Sequence, residues 1–283
     1  MNGTSLHKKP IKFFKVSLPK HAILIIVGLM FLAPFAWLVV TSIETNNEIF
    51  STHPIWFPRV IRWSNYPLAI KNFPFVQYTL NTFYVCGISM IVSLLTCPIV
   101  AYAVSRMKFP GRNLLFYIMV GTMILPSQVT MVPLYITFEK LGLINTYWPL
   151  ILPANFANAY YIFLLRQFFL TIPYDISEAA KIDGASEFRT FLTIIIPLSR
   201  PALYTVALFT FLSMWGDFLG PLIYLNNPNK WTLSLGLQSF MTDHSVQWGL
   251  LMAASTLFTV PIIVLYFFVQ RKFIQGISLT GLK

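Results

Sequence analysis

Apolar residues in this chain fall into six long blocks separated by short polar stretches. The blocks run from about His21 to Ser42, Tyr78 to Val104, Leu114 to Phe138, Trp148 to Leu170, Ala202 to Leu225 and Trp248 to Val269. Each matches or exceeds the roughly 20 apolar residues that a helix needs to cross a bilayer. The pattern therefore predicts an all-α integral membrane protein with six transmembrane helices. The first block follows Lys8, Lys9, Lys12, Lys15 and Lys20, as the core of a secretory signal would. It is longer than the roughly 7–15 residues of such a core and has no clear small-x-small cleavage site, so an uncleaved anchor is expected.

The polar stretch between the fourth and fifth blocks departs most from this pattern. It reads PYDISEAAKIDGASEFRTFLTIIIPLSRP from Pro173 to Pro201, where most connections are only about 4–6 residues long. Its local grammar predicts two short helices joined by a turn. Asp175 is placed to cap the first, with Glu178 three residues on to close a capping box. Gly184 suits the left-handed position that ends it. Ser186 is placed to cap a second helix running to about Ile196 and stopped by Pro197 and Pro201. On the first helix Ile176, Ala179, Ala180 and Asp183 share a face on which small residues allow close approach of another surface. On the second, Phe188, Phe191, Leu192 and Ile195 form an apolar stripe that either a partner or the protein's own core must bury.

Composition supports the membrane assignment. Of 283 residues, 56% are apolar and 10% charged, against roughly 25% charged in a soluble domain. The net charge of +11 raises nucleic acid as a ligand. The cations lie between apolar blocks and form no basic face, which argues against it. Fifteen of the twenty fall on one side: the five N-terminal lysines, Arg106, Lys108, Arg112, Arg166, Lys181, Arg189, Arg200, Arg271, Lys272 and Lys283. Arg59, Arg62, Lys71, Lys140 and Lys230 fall on the other. The positive-inside rule then places both termini and the charged segment in the cytoplasm. Cys86 and Cys97 share one block, roughly 16 Å apart along a helix, too far for a disulfide.

The charged segment resembles the cytoplasmic EAA loop of bacterial ATP-binding-cassette importer permeases. The match is carried by Glu178, Ala179, Ala180, Gly184, Ile194 and Pro197, and by the fuller form EAAxIDGAS from Glu178 to Ser186. Ile196 stands where that pattern usually has Leu. FLLRQFFLTIP (Phe163–Pro173), ILPSQVTMVPLY (Ile124–Tyr135), WGDFLGPLIYL (Trp215–Leu225) and QRKFIQGISLTGLK (Gln270–Lys283) are similar to stretches of maltose-type carbohydrate importers, the last to the C-terminus of their smaller permease subunit. Gly216 replaces an Asn common in that family. The resemblance implies a basic cytoplasmic N-terminus (1–20), a permease domain (21–270) with its coupling loop at 172–201, and a cytoplasmic tail (271–283). It further implies docking of Glu178, Ala179, Ala180, Asp183, Gly184, Ile194 and Pro197 on an ATP-binding subunit. Glu178 would fix the first short helix or pair with a cation of the partner. The implied partners are two ATP-binding subunits, a second homologous permease and an extracytoplasmic sugar-binding protein, within membrane lipid.

No ATP site is expected in this chain. The nearest approach to GxxxxGK[ST] runs from Gly276 to Gly281 and ends in Leu282 and Lys283, with the lysine displaced and no hydroxyl after it. ATP and Mg are therefore expected on the partner, and no cofactor or metal here. An intramembrane hydrolase would need a Ser with a His in the bundle, yet His7, His21, His53 and His244 sit at or beyond block ends. An ion-coupled secondary carrier is the alternative, to be distinguished by its energy source. It would show inverted repeats and midplane charges, and neither is evident. Polar groups inside the blocks are candidates for the substrate pathway: Asp217, Ser127 and Gln128 after Pro126, and Asn158. Asp217 has two other readings, pairing with Lys230 and snorkelling. Helix–helix hydrogen bonding is the alternative for Ser127 and Gln128. Asn155, Tyr160 and Tyr161 accompany Asn158, and the tyrosines also suit an interfacial belt.

Overall fold

The computed structural model describes residues 11–241 and 247–280, with side chains over 20–241 and 247–270. His7, Lys8, Lys9, His244 and Lys283 lie outside the described residues, as do the side chains of Lys12, Lys15, Arg271 and Lys272. Among the described residues every regular element is helical. The principal helices are α1 (Ile11–Ser42), α2 (Phe75–Arg106), α3 (Arg112–Gly121), α4 (Ser127–Lys140), α5 (Trp148–Asn155), α6 (Ala159–Thr171), α7 (Tyr174–Ile182), α8 (Glu187–Thr190), α9 (Arg200–Trp215), α10 (Leu219–Tyr224) and α11 (Trp248–Thr280).

Three of these are long and apolar enough to cross a membrane singly: Lys20–Ser42 of α1, all of α2, and Trp248–Gln270 of α11. Two more stretches qualify only as bent pairs. Arg112–Ile124 meets α4 at 98°, and Glu187–Leu198 meets α9 at 77°. The third, fourth and fifth blocks are broken helices, and the second bent pair joins the charged segment to the fifth. The third breaks at Leu125, held extended before Pro126 (φ −71°, ψ 119°), because a proline ring excludes its predecessor from the helical region. The fourth breaks between Asn155 and Ala159, where Ala157 takes φ 54°. The fifth stops at Trp215 and resumes at Leu219. Apolar run length cannot see such breaks, since the interrupting residues are themselves largely apolar.

The chain divides into two compact units. One comprises the described residues up to Ala69 and those from 247 to Leu257. Within it the Asn65 side chain donates to the carbonyls of Ser42 (2.9 Å) and Glu44 (3.2 Å), closing the end of α1. The other comprises Ile70–Met241 and the residues from Phe258 onward, and is built around α2.

α2 has 32 residues and so is about 48 Å long. Ser89, Ser93, Cys97 and Ala101 recur every fourth residue and are fully buried. A stripe of small residues lets neighbouring backbones approach closely, the usual solution where lipid removes the hydrophobic drive between helices. α5, α6 and α9 pack around α2. Ile162, Leu165 and Phe169 of α6 are buried in the same cluster as Cys97 and Ala101. Both cysteines are free and buried, as packing residues would be.

At the end of α2 the buried Arg106 reaches across to the end of α6. Its Nε donates to the carbonyl of Phe169 at 3.1 Å, and its Nη2 donates to the carbonyls of Phe169 (2.5 Å) and Ile172. A helix end leaves its last carbonyls short of partners, and here that of Phe169 otherwise has only the Ile172 N–H at 3.3 Å. The Tyr174 hydroxyl donates to the Arg106 carbonyl at 2.7 Å, and the guanidinium lies 5.3 Å from the Tyr174 ring centre. Arg106→Ala strands the Ile172 carbonyl and leaves that of Phe169 with only the Ile172 N–H, and is expected to cost about 2–3 kcal/mol, read as a fall in the melting temperature of the purified protein. Arg106→Lys should recover only part of it, because an ammonium lacks the planar fork.

Candidate functional site

The segment after α6 starts where Arg106 holds it. Pro173 (φ −53°, ψ 138°) precedes the first residue of α7 and offers no side-chain cap. Asp175 is therefore not the cap expected from sequence but sits within the first turn, where its charge still suits the positive end of the helix. The reason is the proline, whose fixed φ sets the entry before Tyr174. α7 ends in a Schellman arrangement. The Ala185 N–H donates to the Ala180 carbonyl at 2.9 Å and the Gly184 N–H to that of Lys181 at 3.0 Å. Gly184 takes φ +77° with no neighbour against its α-carbon, so glycine is required there by backbone conformation and not by space.

Ser186 caps α8 as expected, its hydroxyl accepting from the Arg189 N–H at 3.3 Å. Helix continues beyond Thr190 through a widened π-type turn at Phe191–Ile195 and a last turn to Leu198. Pro197 thus lies inside the helical run instead of ending it. A wider turn relieves the clash of the proline ring with the carbonyl one turn earlier.

One carboxylate ties the two short helices to α2. Glu187 accepts from the Tyr102 hydroxyl at 2.7 Å and pairs with Lys181 at 2.5 Å. The Lys181 ammonium and then the Tyr102 hydroxyl hold Glu187 below the ordinary carboxylate value, and Glu187 raises Lys181 in return. The apolar stripe divides. Phe191 and Ile195 are buried with Tyr102, Ile172 and Ala202, whereas Phe188 is 67% exposed and Leu192 is exposed. Of the residues expected to meet a partner, Glu178, Ala179, Asp183, Gly184 and Pro197 are exposed and Ile194 is half-buried. Ala180 is buried within this chain. Ile182, 87% exposed, joins the outward face.

A second feature lies where three helices break. Ser127 and Gln128 at the start of α4, Leu150 and Pro153 on α5, and Asp217 and Ile223 around α10 line a cavity of ≈ 330 Å³. The Asp217 carboxylate accepts from the Gly220 N–H at 3.1 Å. Lys230 does not pair with it, since its ammonium donates to the Asn145 carbonyl at 2.7 Å. Three of the four pathway candidates thus share one cavity. Asn158 has a different place: its Oδ1 accepts from the N–H groups of Tyr160 (3.0 Å) and Tyr161 (3.2 Å), capping α6, while its Nδ2 donates to the Ala154 carbonyl at 2.7 Å.

Sequence reasoning counted Arg106 only as an orientation charge and gave Tyr102 no role. Their spacing of four residues at the end of an apolar block places both on one helix face. That spacing was the available signal. Lys181 and Glu187, six residues apart across a turn, carried none.

Residues 95–279 match the family described as "Binding-protein-dependent transport system inner membrane component". The diacetylchitobiose uptake system permease protein NgcG of Streptomyces coelicolor is 33% identical over 261 residues, covering 91% of this chain and 86% of that one. The arabinooligosaccharides transport system permease protein AraQ of Halalkalibacterium halodurans is 36% identical over 203 residues, 72% of each chain. A solved bacterial ABC transporter involved in the import of the acidic polysaccharide alginate has the same fold, with a TM-score of 0.78 at 24% identity over 95% of this chain and 99% of that one.

The Lys181–Glu187 pair generates a pH prediction. A carboxylate depressed in the folded state stabilises above its unfolded pKa, near 4.5, and loses that contribution as pH falls through the lower folded value. The raised Lys181 contributes below its ordinary value, 10.5, and loses it as pH rises through the folded one. Melting temperature measured against pH should therefore hold a plateau at neutral pH. Glu187→Gln should lower that plateau slightly, because the pair is exposed, and should flatten the acid slope.

Proposed function

Because the chain belongs to the binding-protein-dependent transport system inner membrane component family, we propose that it forms half of the translocation pathway of an ATP-driven carbohydrate importer and takes its driving force through residues 172–201. It is a multi-pass membrane permease subunit of ABC type and not an enzyme. Carbohydrate cargo is supported by the sugars named for NgcG and AraQ. The three single helices, the bent stretch from Arg112 through α4, the broken α5–α6 stretch and α9 continued by α10 together make six crossings, with both termini and the loop on the cytoplasmic side. That side carries fifteen of the twenty cations.

The loop is the EAA-type coupling element in this reading, docked on one of two ATP-binding subunits that hold ATP and Mg. A second, homologous permease completes the pathway, and an extracytoplasmic binding protein delivers the sugar. The reading is carried by the division of the loop into two faces. Glu178, Ala179, Ile182 and Asp183 are exposed, while Tyr174, Glu187, Phe191 and Ile195 are fastened to α2 or buried against it. A push on the outward face then reaches a membrane-spanning helix without passing through a soft joint. Burial of Phe191 and Ile195 contributes about 2 kcal/mol each where the loop borders water. An ion-coupled carrier has no observation in its favour once the family is established.

Gly184→Trp forces a bulky residue to φ +77°, at a cost of about 1–2 kcal/mol. Membrane insertion and recovery of the second permease should persist, while the ATP-binding subunit is lost from the purified complex and sugar uptake fails. Full uptake by this variant, or loss of both partners together, would overturn the coupling role of the turn.

A further inference from the structure

The cavity between the start of α4, α5 and α10 carries chemistry that selects among substrates. Its polar lining comprises the Asp217 carboxylate, the Gln128 amide, the hydroxyls of Ser127 and Thr130, and the Tyr224 side chain; the rest is apolar, and no Lys or Arg contributes. Nearby Lys230 is occupied with the Asn145 carbonyl. The Thr130 hydroxyl is turned back on the Ser127 carbonyl at 3.0 Å, and Tyr224 is buried. That leaves the Asp217 carboxylate, one oxygen of which accepts from the Gly220 N–H, and the Gln128 amide, whose oxygen accepts from the Ser127 hydroxyl at 3.4 Å, beside apolar Leu150 and Pro153. Such a lining offers acceptors to sugar hydroxyls and an apolar platform to a ring face. To an anion, the donors of the Gln128 amide and the Ser127 hydroxyl are opposed by the charge of the Asp217 carboxylate.

We infer that this cavity is a charge filter in the translocation pathway, admitting neutral or amino-bearing glycans and rejecting glycans with carboxylate or sulfate groups. The inference rests on the reading of the cavity as pathway, and Asp217 sets its sign. Charge of one sign lining a cleft changes local ion concentrations by about tenfold or more.

The test uses the complete reconstituted transporter with both native cysteines of this chain replaced (Cys86→Ala, Cys97→Ala) and a single reporter, Gln128→Cys or, separately, Ser127→Cys. Reaction rates are measured with cationic, anionic and neutral methanethiosulfonates and normalised to a free thiol. The cationic reagent should outpace the anionic by about tenfold, and adding Asp217→Asn should abolish the preference. Equal normalised rates, a preference that survives Asp217→Asn, or no reaction with the neutral reagent at either position would overturn the inference. Repeating the measurement in nucleotide-free and ATP–vanadate-trapped transporter separates the two readings. Rates that do not change between these states would remove the pathway assignment, whereas changing rates without charge preference would remove only the filter.

Discussion

The guanidinium of Arg106 holds together what would otherwise be loose ends. An α-helix terminates with carbonyls that have no partner inside it, and α6 terminates where the chain must leave the bundle. By donating to Phe169 and Ile172, Arg106 closes that end with a group belonging to α2. The Tyr174 hydroxyl then returns a bond to the Arg106 carbonyl. The first residue of α7 is thereby fixed to the last residue of α2, and the direction of the following segment is set before its own sequence begins to act.

From that anchor the loop is assembled by local rules and then locked by long-range contacts. Pro173 starts α7, Gly184 ends it with a left-handed residue, and Ser186 starts α8. Glu187 draws Lys181 of the first helix and Tyr102 of α2 to one carboxylate. Phe191 and Ile195 complete the seam through the same cluster that holds α6 on α2. The small-residue stripe of α2 supports this arrangement by allowing α6 close enough for one arginine to bridge both helices. The inward face of the loop is thereby joined to α2 and α6.

Much of this was legible from residues with short-range consequences. Block length announced a helical membrane protein, and Gly184 and Ser186 announced the turn and the second cap because each acts on its own backbone. Asp175 was misjudged as a cap because Pro173, two residues earlier, fixes the entry. Block length also overstated helix continuity at Leu125, Ala157 and Gly216, where apolar or small residues interrupt helices without interrupting hydrophobicity. The roles of Arg106, Tyr102 and Glu187 depend on pairs 63 to 85 residues apart in the chain. No local pattern encodes such pairs. The convergence of Ser127, Gln128 and Asp217 on one cavity is of the same kind, while Asn158 proved to be engaged with the backbone on both sides of its own break.

The central claim is that the loop and α2 move as one body. Spin labels at Arg189, exposed on α8, and Leu95, on the outward face of α2, allow a pulsed electron–electron resonance distance to be measured in the complete transporter. The account predicts the same mean distance and width in the nucleotide-free and ATP–vanadate-trapped states, while distances from either label to the proposed second permease change. A loop-to-α2 distance that shifts or broadens between these states, with α2 remaining in place, would contradict it.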